Sequence, residues 1–292
     1  MFLIVGGDSE IGSAACRTMR EQGSPAAATT RRREQVGPGR PFLDLAAPLD
    51  GWAPPSGTKA ACICAAIARM AACAADPAGT AQINVDRTLG LIDDLFARGI
   101  YVLFLSTNQV FDGRVAHVPA DAAYSPISEY GRQKVGTETI LRERIACGAP
   151  AAILRLAKVV SAGMPLFDGW GRDLSAGKPI NAFSDMMLAP PPTDLVCSAI
   201  GALMEDRASG IFQLTGPRDV SYAEVARFMA TRRGAATSLV KETSANSIGL
   251  PEGATPLNTT LDSRLIHDRY GLAIPDVWQT MENTIRIGVR PE

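Results

Sequence analysis

Residues 2–12 read FLIVGGDSEIG, and the order of residue types in this run decides the fold. Phe2-Leu3-Ile4-Val5 is short, apolar and without alternation, as expected of a parallel strand buried on both faces. Gly6-Gly7-Asp8-Ser9-Glu10-Ile11-Gly12 then breaks into a tight turn. Beyond it Ile11, Ala14, Ala15, Thr18 and Met19 recur at helical spacing, and Gly23 supplies a stop. Strand, glycine turn and helix form the context in which glycine spacing signals a dinucleotide site. Bare backbone at Gly6 and Gly12 permits the turn and close helix–strand packing. The helix N-terminus offers N–H groups and a positive dipole end to a pyrophosphate. Gly6, Ser9, Glu10, Ile11 and Gly12 are the candidate phosphate-side residues. For this segment alone, an ordinary glycine-containing strand–helix turn is the alternative.

Working outward, strands alternate with helices through residues 1–160. Pro25 to Thr30 and Ala60 to Ala66 read as strands. Asp86 to Arg98 carries Leu89, Ile92 and Phe96 on one helical face and ends at Gly99. Tyr101 to Leu105 is the next strand and delivers Ser106 and Thr107 at its C-terminal end. Ser125-Pro126 predicts the start of a long helix toward Gly148, with Ser as cap and Pro at its favoured first position. Ala151 to Leu156 is another strand. The pattern predicts an α/β fold with a Rossmann-type, doubly wound parallel sheet and ligands at the C-terminal strand ends. The last 130 or so residues are proline-punctuated with shorter helices, among them one with a capping box at Ser221 and Glu224. Asp262 and Asp276 are candidate caps for two more. Residues 161–184 and 208–292 are expected to form a smaller C-terminal α/β lobe that binds substrate. Residues 185–207 are expected to return to the cofactor domain.

Composition points to a water-soluble enzyme. The 292 residues include 46% apolar and 20% charged types, with a net charge of −1, which supplies a core and no basic surface for nucleic acid. No apolar run reaches membrane-spanning length; Ala60 to Ala75 comes closest, and Arg69 interrupts it. Nothing at the N-terminus reads as a signal peptide, so the expected location is cytoplasmic. The six cysteines lie in apolar or helical runs and are expected to be reduced. With two histidines, His117 and His267, a His-based metal site or hydrolase triad is not expected.

The chemistry is carried by YGRQK, residues 130–134, behind STNQVFDG at 106–113. Tyr130 and Lys134 lie one helical turn apart on one face. An ammonium beside a phenol favours the phenolate, which brings proton transfer within reach of neutral pH. Tyr and Lys at this spacing also decorate solvated helix faces; convergence with Thr107 and the glycine turn at the strand ends gives the pair meaning.

These segments together resemble the extended short-chain dehydrogenase/reductases, most closely the dTDP-4-dehydrorhamnose reductase branch, over nearly the whole chain. STNQVFDG, DAAYSPISEYGRQK (121–134), ILRLAKVV, GIFQLTGP with SYAEVAR, and ATPLNTTLD carry the likeness. The resemblance implies reduction of a keto group on a nucleotide-linked sugar. Tyr130 would donate the proton, Lys134 would lower the phenol pKa and hold the nicotinamide ribose, and Thr107 would hydrogen-bond the carbonyl oxygen. Thr107, Asn108 and Tyr130 are the implied substrate contacts. Asp44, Leu45, Ala65 and Ala66 join the cofactor contacts, and family habit implies a homodimer.

For the cofactor, Arg31 and Arg32 follow the second strand, where an acidic residue would take the ribose 2′-hydroxyl of NAD. Arginines suit a 2′-phosphate, so NADP(H) is favoured, with NAD(H) the alternative. Several residues depart from the family pattern. Ser9 replaces the middle glycine, Asp8 brings negative charge toward phosphate, and Cys64 stands where the branch has Asn. FSDMMLAPPPTDL replaces a Gly-Pro-Thr-rich segment. Two other functions stay open: a regulatory subunit that binds NADP without turnover, and a related epimerase. An epimerase-reductase would need a Cys/His pair, and His117 has no cysteine partner near Thr107. Arg155, Lys158 and Arg172 are candidates for a diphosphate, Asn258 for the closing element, and Asn84 for shaping the site or capping a helix.

Overall fold

The computed structural model describes residues 1–250 and 253–287. β1 (Phe2–Val5), β2 (Ala26–Ala28), β3 (Ala60–Ile63), β4 (Tyr101–Thr107), β5 (Ala151–Leu156) and β8 (Gly210–Leu214) form one parallel sheet. Its order is β2-β1-β3-β4-β5-β8, so the chain reverses direction beside β1, where a doubly wound sheet opens its ligand crevice. Strands β3, β4 and β5 are buried along their whole length, which is why they read as unbroken apolar runs. Gly210–Leu214 had been expected in the substrate lobe. Its backbone instead finds a ladder on β5, with Phe212 opposite Leu154, and it becomes the sixth strand. The α/β fold with a parallel, doubly wound sheet is as the sequence predicts.

Two apolar layers flank the sheet. On one face α1 (Glu10–Glu21) packs with α7 (Thr193–Glu205), joining Ala15 and Met19 to Ile200 and Leu203. On the other lie α4 (Thr88–Ala97) and α5 (Glu129–Ala146), which place Leu91, Ile92, Leu95 and Leu141 against Phe104 and Ile153. A separate core belongs to the lobe. It joins α6 (Pro165–Ser175), β6 (Ile180–Phe183), α8 (Tyr222–Arg232), β10 (Val240–Thr243) and α10 (Val277–Ile287) through Trp170, Ile180, Val225 and Met281. β7 (Met187–Leu188) and β9 (Val220–Ser221) pair antiparallel at its edge.

The caps explain most boundaries. Ser221 and Glu224 form the predicted capping box, and Gly271 closes α9 (Arg264–Tyr270) in the left-handed conformation. Asp276 accepts from Trp278 N at 2.8 Å, capping α10 as expected. Ser263, not Asp262, occupies the cap position of α9. The long helix α5 starts later than Ser125-Pro126 predicts, because Ser125 is tied to the loop after β4. Its Oγ accepts from Asp112 N and its own N–H donates to Val110 O. Ser128 caps the helix in its place, accepting from Gly131 N at 3.0 Å. The helix expected from Asp86 begins as a widened turn over Gln82–Arg87. Asn84 neither caps a helix nor faces the cleft. Buried, it clamps Ile67 through that residue's N–H and carbonyl, and bonds Gln133 at 2.7 Å.

Candidate active site

At the glycine turn, Gly6 has φ +88°, and a Cβ there would meet Ala65 N at 2.7 Å. A Cβ on Gly12 would reach Gly6 O at 2.4 Å, so helix and strand approach as closely as backbone allows. Gly12 therefore backs the turn and does not line it. Ser9, the departure from glycine, sits at φ −80°, where a side chain is unstrained. Its hydroxyl donates to Gly6 O at 2.7 Å and accepts from Gly12 N at 3.1 Å, closing the cap of α1. The N–H groups of Glu10 and Ile11, in the first turn, have no acceptor within the helix and are free for an anion.

A cavity of about 240 Å³ opens beside this turn, lined by Gly6, Asp8, Ser9, Arg31, Asp44, Leu45, Ala65 and Ala66 among others. Its walls are the ends of β1, β2 and β3. Asp44 Oδ1 accepts from Ala46 N, which fixes its loop over the opening. The arginine run does not act as a unit. Arg31 lines the cavity, Arg33 stacks on Phe42 at 4.3 Å, and Arg32 lies outside the lining. Arg32 is exposed beyond the end of β2, outside that wall.

A second cavity of about 570 Å³ shares Ser9, Cys64 and Ala66 with the first and runs to the catalytic candidates. Thr107, Asn108, Tyr130 and Lys134 all line it, with Glu10 and Ile11 on the opposite side. β4 ends at Thr107, whose Oγ1 accepts from Gln109 N at 3.2 Å. Ser128 caps α5 and also donates to Gln109 Oε1 at 2.8 Å, which docks the first turn of α5, and with it Tyr130, onto the end of β4.

Lys134 is 3% exposed, yet it has no carboxylate partner among the described residues. Its Nζ donates to Leu105 O at 2.8 Å and lies 4.3 Å from the centre of the Phe104 ring. Burial pulls its pKa down to about 8, against smaller opposing contributions from Glu138 and Cys64. The half-buried Tyr130 makes no hydrogen bond to a described residue. Burial pushes its phenol up, helped by Cys73. The expected lowering of the phenol by Lys134 is absent, because the ammonium lies 6.0 Å from the ring centre and is engaged by Leu105. Tyr130 is held as a protonated phenol.

Other candidates fall into place or away. Lys158 lines the cleft and faces Glu10, whose carboxyl is pushed up by burial and pulled back by that lysine. Arg155 is fully buried. It binds Glu138 at 2.7 Å, Gln213 at 3.1 Å and Ala120 O at 2.9 Å, so it cannot meet a diphosphate. Arg172 is exposed on α6, away from the lining, and Asn258 donates to Gly113 O. His117 opens on a different cleft with His267, so the Cys/His pair of an epimerase is not assembled. No metal-binding group of three or more His, Cys, Asp or Glu occurs among the described residues, and their cysteines are free.

The sequence reading missed the lobe's wall, made by Met186, Met187, Tyr222, Pro256 and Thr259. It also missed Ser106, whose buried hydroxyl lines the cleft without a hydrogen-bond partner. No spacing signal marks these residues, since they come from separate segments of the chain. ATPLNTTLD held the one available clue. Asp219 grips its Thr259 and Thr260 through both hydroxyls and both N–H groups.

The chain matches the family described as the RmlD substrate binding domain over residues 1–287. A dTDP-4-dehydrorhamnose reductase of Sinorhizobium fredii is 27% identical over 227 residues, covering 73% of each chain. A dTDP-4-dehydrorhamnose reductase of Bacillus anthracis, solved in complex with NADP, superposes with TM-score 0.81 at 15% identity, covering 98% of both chains. A UDP-glucose 4-epimerase of Thermus thermophilus in complex with NAD gives 0.81 at 18%, again over 98% of both. At these identities the two structures attest the fold. No helix among the described residues is long and apolar enough to cross a membrane.

Proposed function

The chain belongs to the RmlD substrate binding domain family, and from this premise we propose that it is an NADP(H)-dependent reductase of a keto group on a nucleotide-linked sugar. The observation that carries the reading is the joined cleft. One end is a glycine-turn cradle that a Cβ would fill, and the other presents Thr107, Tyr130 and Lys134 around open space. The cradle fits a dinucleotide, with bare backbone at Gly6, free N–H groups at Glu10 and Ile11, and Arg31 beside the strand ends. The cationic side chain at Arg31 supports NADP(H), and NAD(H) is accepted as the alternative. A sugar nucleotide relative and the larger second cavity support the substrate class.

When bound, the nicotinamide supplies the hydride. The protein's own residues do the rest. Tyr130, kept protonated by its burial, donates its phenolic proton to the carbonyl oxygen as the hydride arrives. Lys134 holds a positive charge where negative charge develops, and its remaining N–H groups are available to a ribose hydroxyl. Thr107 accepts from the Gln109 backbone, and its hydroxyl, which makes only a long 3.4 Å contact to Asn108 Oδ1, turns to donate to the same carbonyl oxygen as Tyr130. Residues 1–160, with 185–207 and β8, serve the cofactor; residues 161–184 and the segments after β8 serve the sugar nucleotide.

The test is oxidation of NADPH, followed by its absorbance, with a panel of nucleotide-linked 4-keto-6-deoxy sugars, in wild type and Tyr130→Phe. Turnover lost in the variant supports the reductase. Cofactor binding without turnover on any member of the panel would favour the regulatory subunit.

A further inference from the structure

Asp8 lies in the glycine turn, but its carboxylate is not directed at the pyrophosphate side. It reaches across to the C-terminal end of β2. There it accepts from Thr30 Oγ1 at 2.9 Å, from the backbone N–H of Arg31 at 3.1 Å, and from Arg40 Nη2 at 2.7 Å. The charge is held by more than one contact. Arg40 also donates to Gln35 Oε1 at 2.6 Å, and its buried Nε has no partner. The loop that carries Arg40 is strapped to β2. Ala28 N donates to Gly39 O, and Arg20 donates to both Ala26 O and Gly39 O. Asp8 and Arg31 line the same cavity beside the glycine turn.

The tip of β2 is where a doubly wound dinucleotide fold places the group that reads the ribose 2′ position. An acidic residue there accepts from a hydroxyl; cations and free N–H groups hold a phosphate. In this chain β2 is followed by Thr29-Thr30-Arg31, with no acid of its own. Asp8 supplies one from a different loop, and there engages the Arg31 N–H and the guanidinium of Arg40, which lines the neighbouring cleft.

We propose that Asp8 sets cofactor selectivity: its carboxylate takes the 2′-hydroxyl of NAD(H) and competes with the 2′-phosphate of NADP(H) for Arg40 and the Arg31 N–H. The inference rests on the proposed cofactor reading. Arg31 and Arg40 make NADP(H) acceptable, and Asp8 holds that preference down, so that both cofactors are used. Arg40 is then a selectivity residue as well, released to the phosphate only when Asp8 yields it.

The experiment measures NADP⁺ and NAD⁺ binding by calorimetry, independent of turnover, in wild type, Asp8→Asn and Arg40→Gln. Asn keeps an acceptor for Thr30 and Arg31 while removing the charge, and an unchanged melting temperature shows that the turn is intact. Asp8→Asn is expected to tighten NADP⁺ by about tenfold or more, the scale of one charge-assisted contact, and to weaken NAD⁺ by a few-fold. Arg40→Gln is expected to weaken NADP⁺ and leave NAD⁺ within about twofold. Equal tightening of both nucleotides in Asp8→Asn would put the charge's effect on their shared pyrophosphate and overturn the proposal. So would an unchanged ratio of the two dissociation constants. Wild type that binds neither nucleotide would overturn the underlying cofactor reading, which the variant comparison alone would not.

Discussion

Two buried cations meet the α5 face of the sheet, and they are treated in opposite ways. Arg155 is 0% exposed and saturated: Glu138 takes its charge, Gln213 and Ala120 O take further N–H groups, and Tyr124 completes the carboxylate with a 2.8 Å hydrogen bond. Lys134 is 3% exposed and has one carbonyl and one aromatic face. Glu138, one turn further along the helix, is spent on the arginine. A buried charge without a counter-ion is costly, and such sites cluster where chemistry needs the imbalance. The arginine region fixes β5 against α5; the lysine region leaves donors and charge unspent beside an open cleft. The comparison separates a cation that holds the fold from one left unspent beside a cleft.

That separation is breakable in both directions. The largest effect is expected at Tyr130, which has no structural partner to lose. Tyr130→Phe should lower kcat by about 10²–10⁴-fold, the range for removing a general acid. NADPH affinity and melting temperature should stay near wild type. A variant that turns over normally would remove Tyr130 from the proton-donor role, whatever the fold. Next comes the saturated pair. Glu138→Gln strands the Arg155 guanidinium in the interior and should cost about 3–5 kcal/mol in denaturant unfolding. A loss below about 1 kcal/mol, the scale of an exposed pair, would show that water reaches Arg155 and that the contrast with Lys134 is false.

A third expectation concerns pH and the lysine alone. With the Lys134 pKa near 8, the ammonium is present below that pH and disappears above it. The Tyr130 phenol, pushed up by burial, stays protonated across the same interval. The value of kcat/KM, which reports the free enzyme, should fall about tenfold per pH unit on the alkaline side. Lys134→Arg, which keeps its charge at all these pH values, should lose that limb even where its activity is low. A wild-type profile flat to pH 10 would show that the charge on Lys134 is not needed.

Much of this was legible from the residues, and the limits have physical causes. FLIVGGDSEIG announced the first strand, turn and helix because each part is set by local backbone chemistry. That Thr107, Tyr130 and Lys134 meet at one cleft was legible for the same reason: strand end and helix face are local properties. The start of α5 was misplaced because Ser125 and Ser128 are both good caps, and only the tertiary bond from Asp112 N decides between them. Arg155 read as a candidate for a diphosphate because its carboxylate partner lies on another element. Asp8 looked misdirected toward phosphate because Arg40, its counter-ion, lies in a loop 32 residues on. The lobe's wall was invisible because no periodicity links Met186, Tyr222 and Pro256. The phenol is raised, not lowered, because burial, which spacing does not reveal, governs it and the ammonium sits 6.0 Å from the ring centre.

The smallest effect is the one that tests whether Lys134 is under-satisfied. Its folded pKa of about 8 lies below that of an unfolded lysine, so between these values the unfolded chain binds more protons than the native one. Stability from this group therefore rises as pH climbs from about 8 toward about 10.4, and is lost as pH falls back through 8. The full difference amounts to at most about 3 kcal/mol, and water entering the cleft reduces it. Tyrosines and cysteines titrate in the same window, so wild type alone is uninformative. The difference between wild type and Lys134→Met isolates the lysine, and Met fills a similar volume without charge. Relative to the variant, wild type should be least stable below pH 8 and should gain ground by pH 10. If the difference is flat, Lys134 has a compensation beyond Leu105 O and Phe104, and its charge is structural in the same sense as that of Arg155.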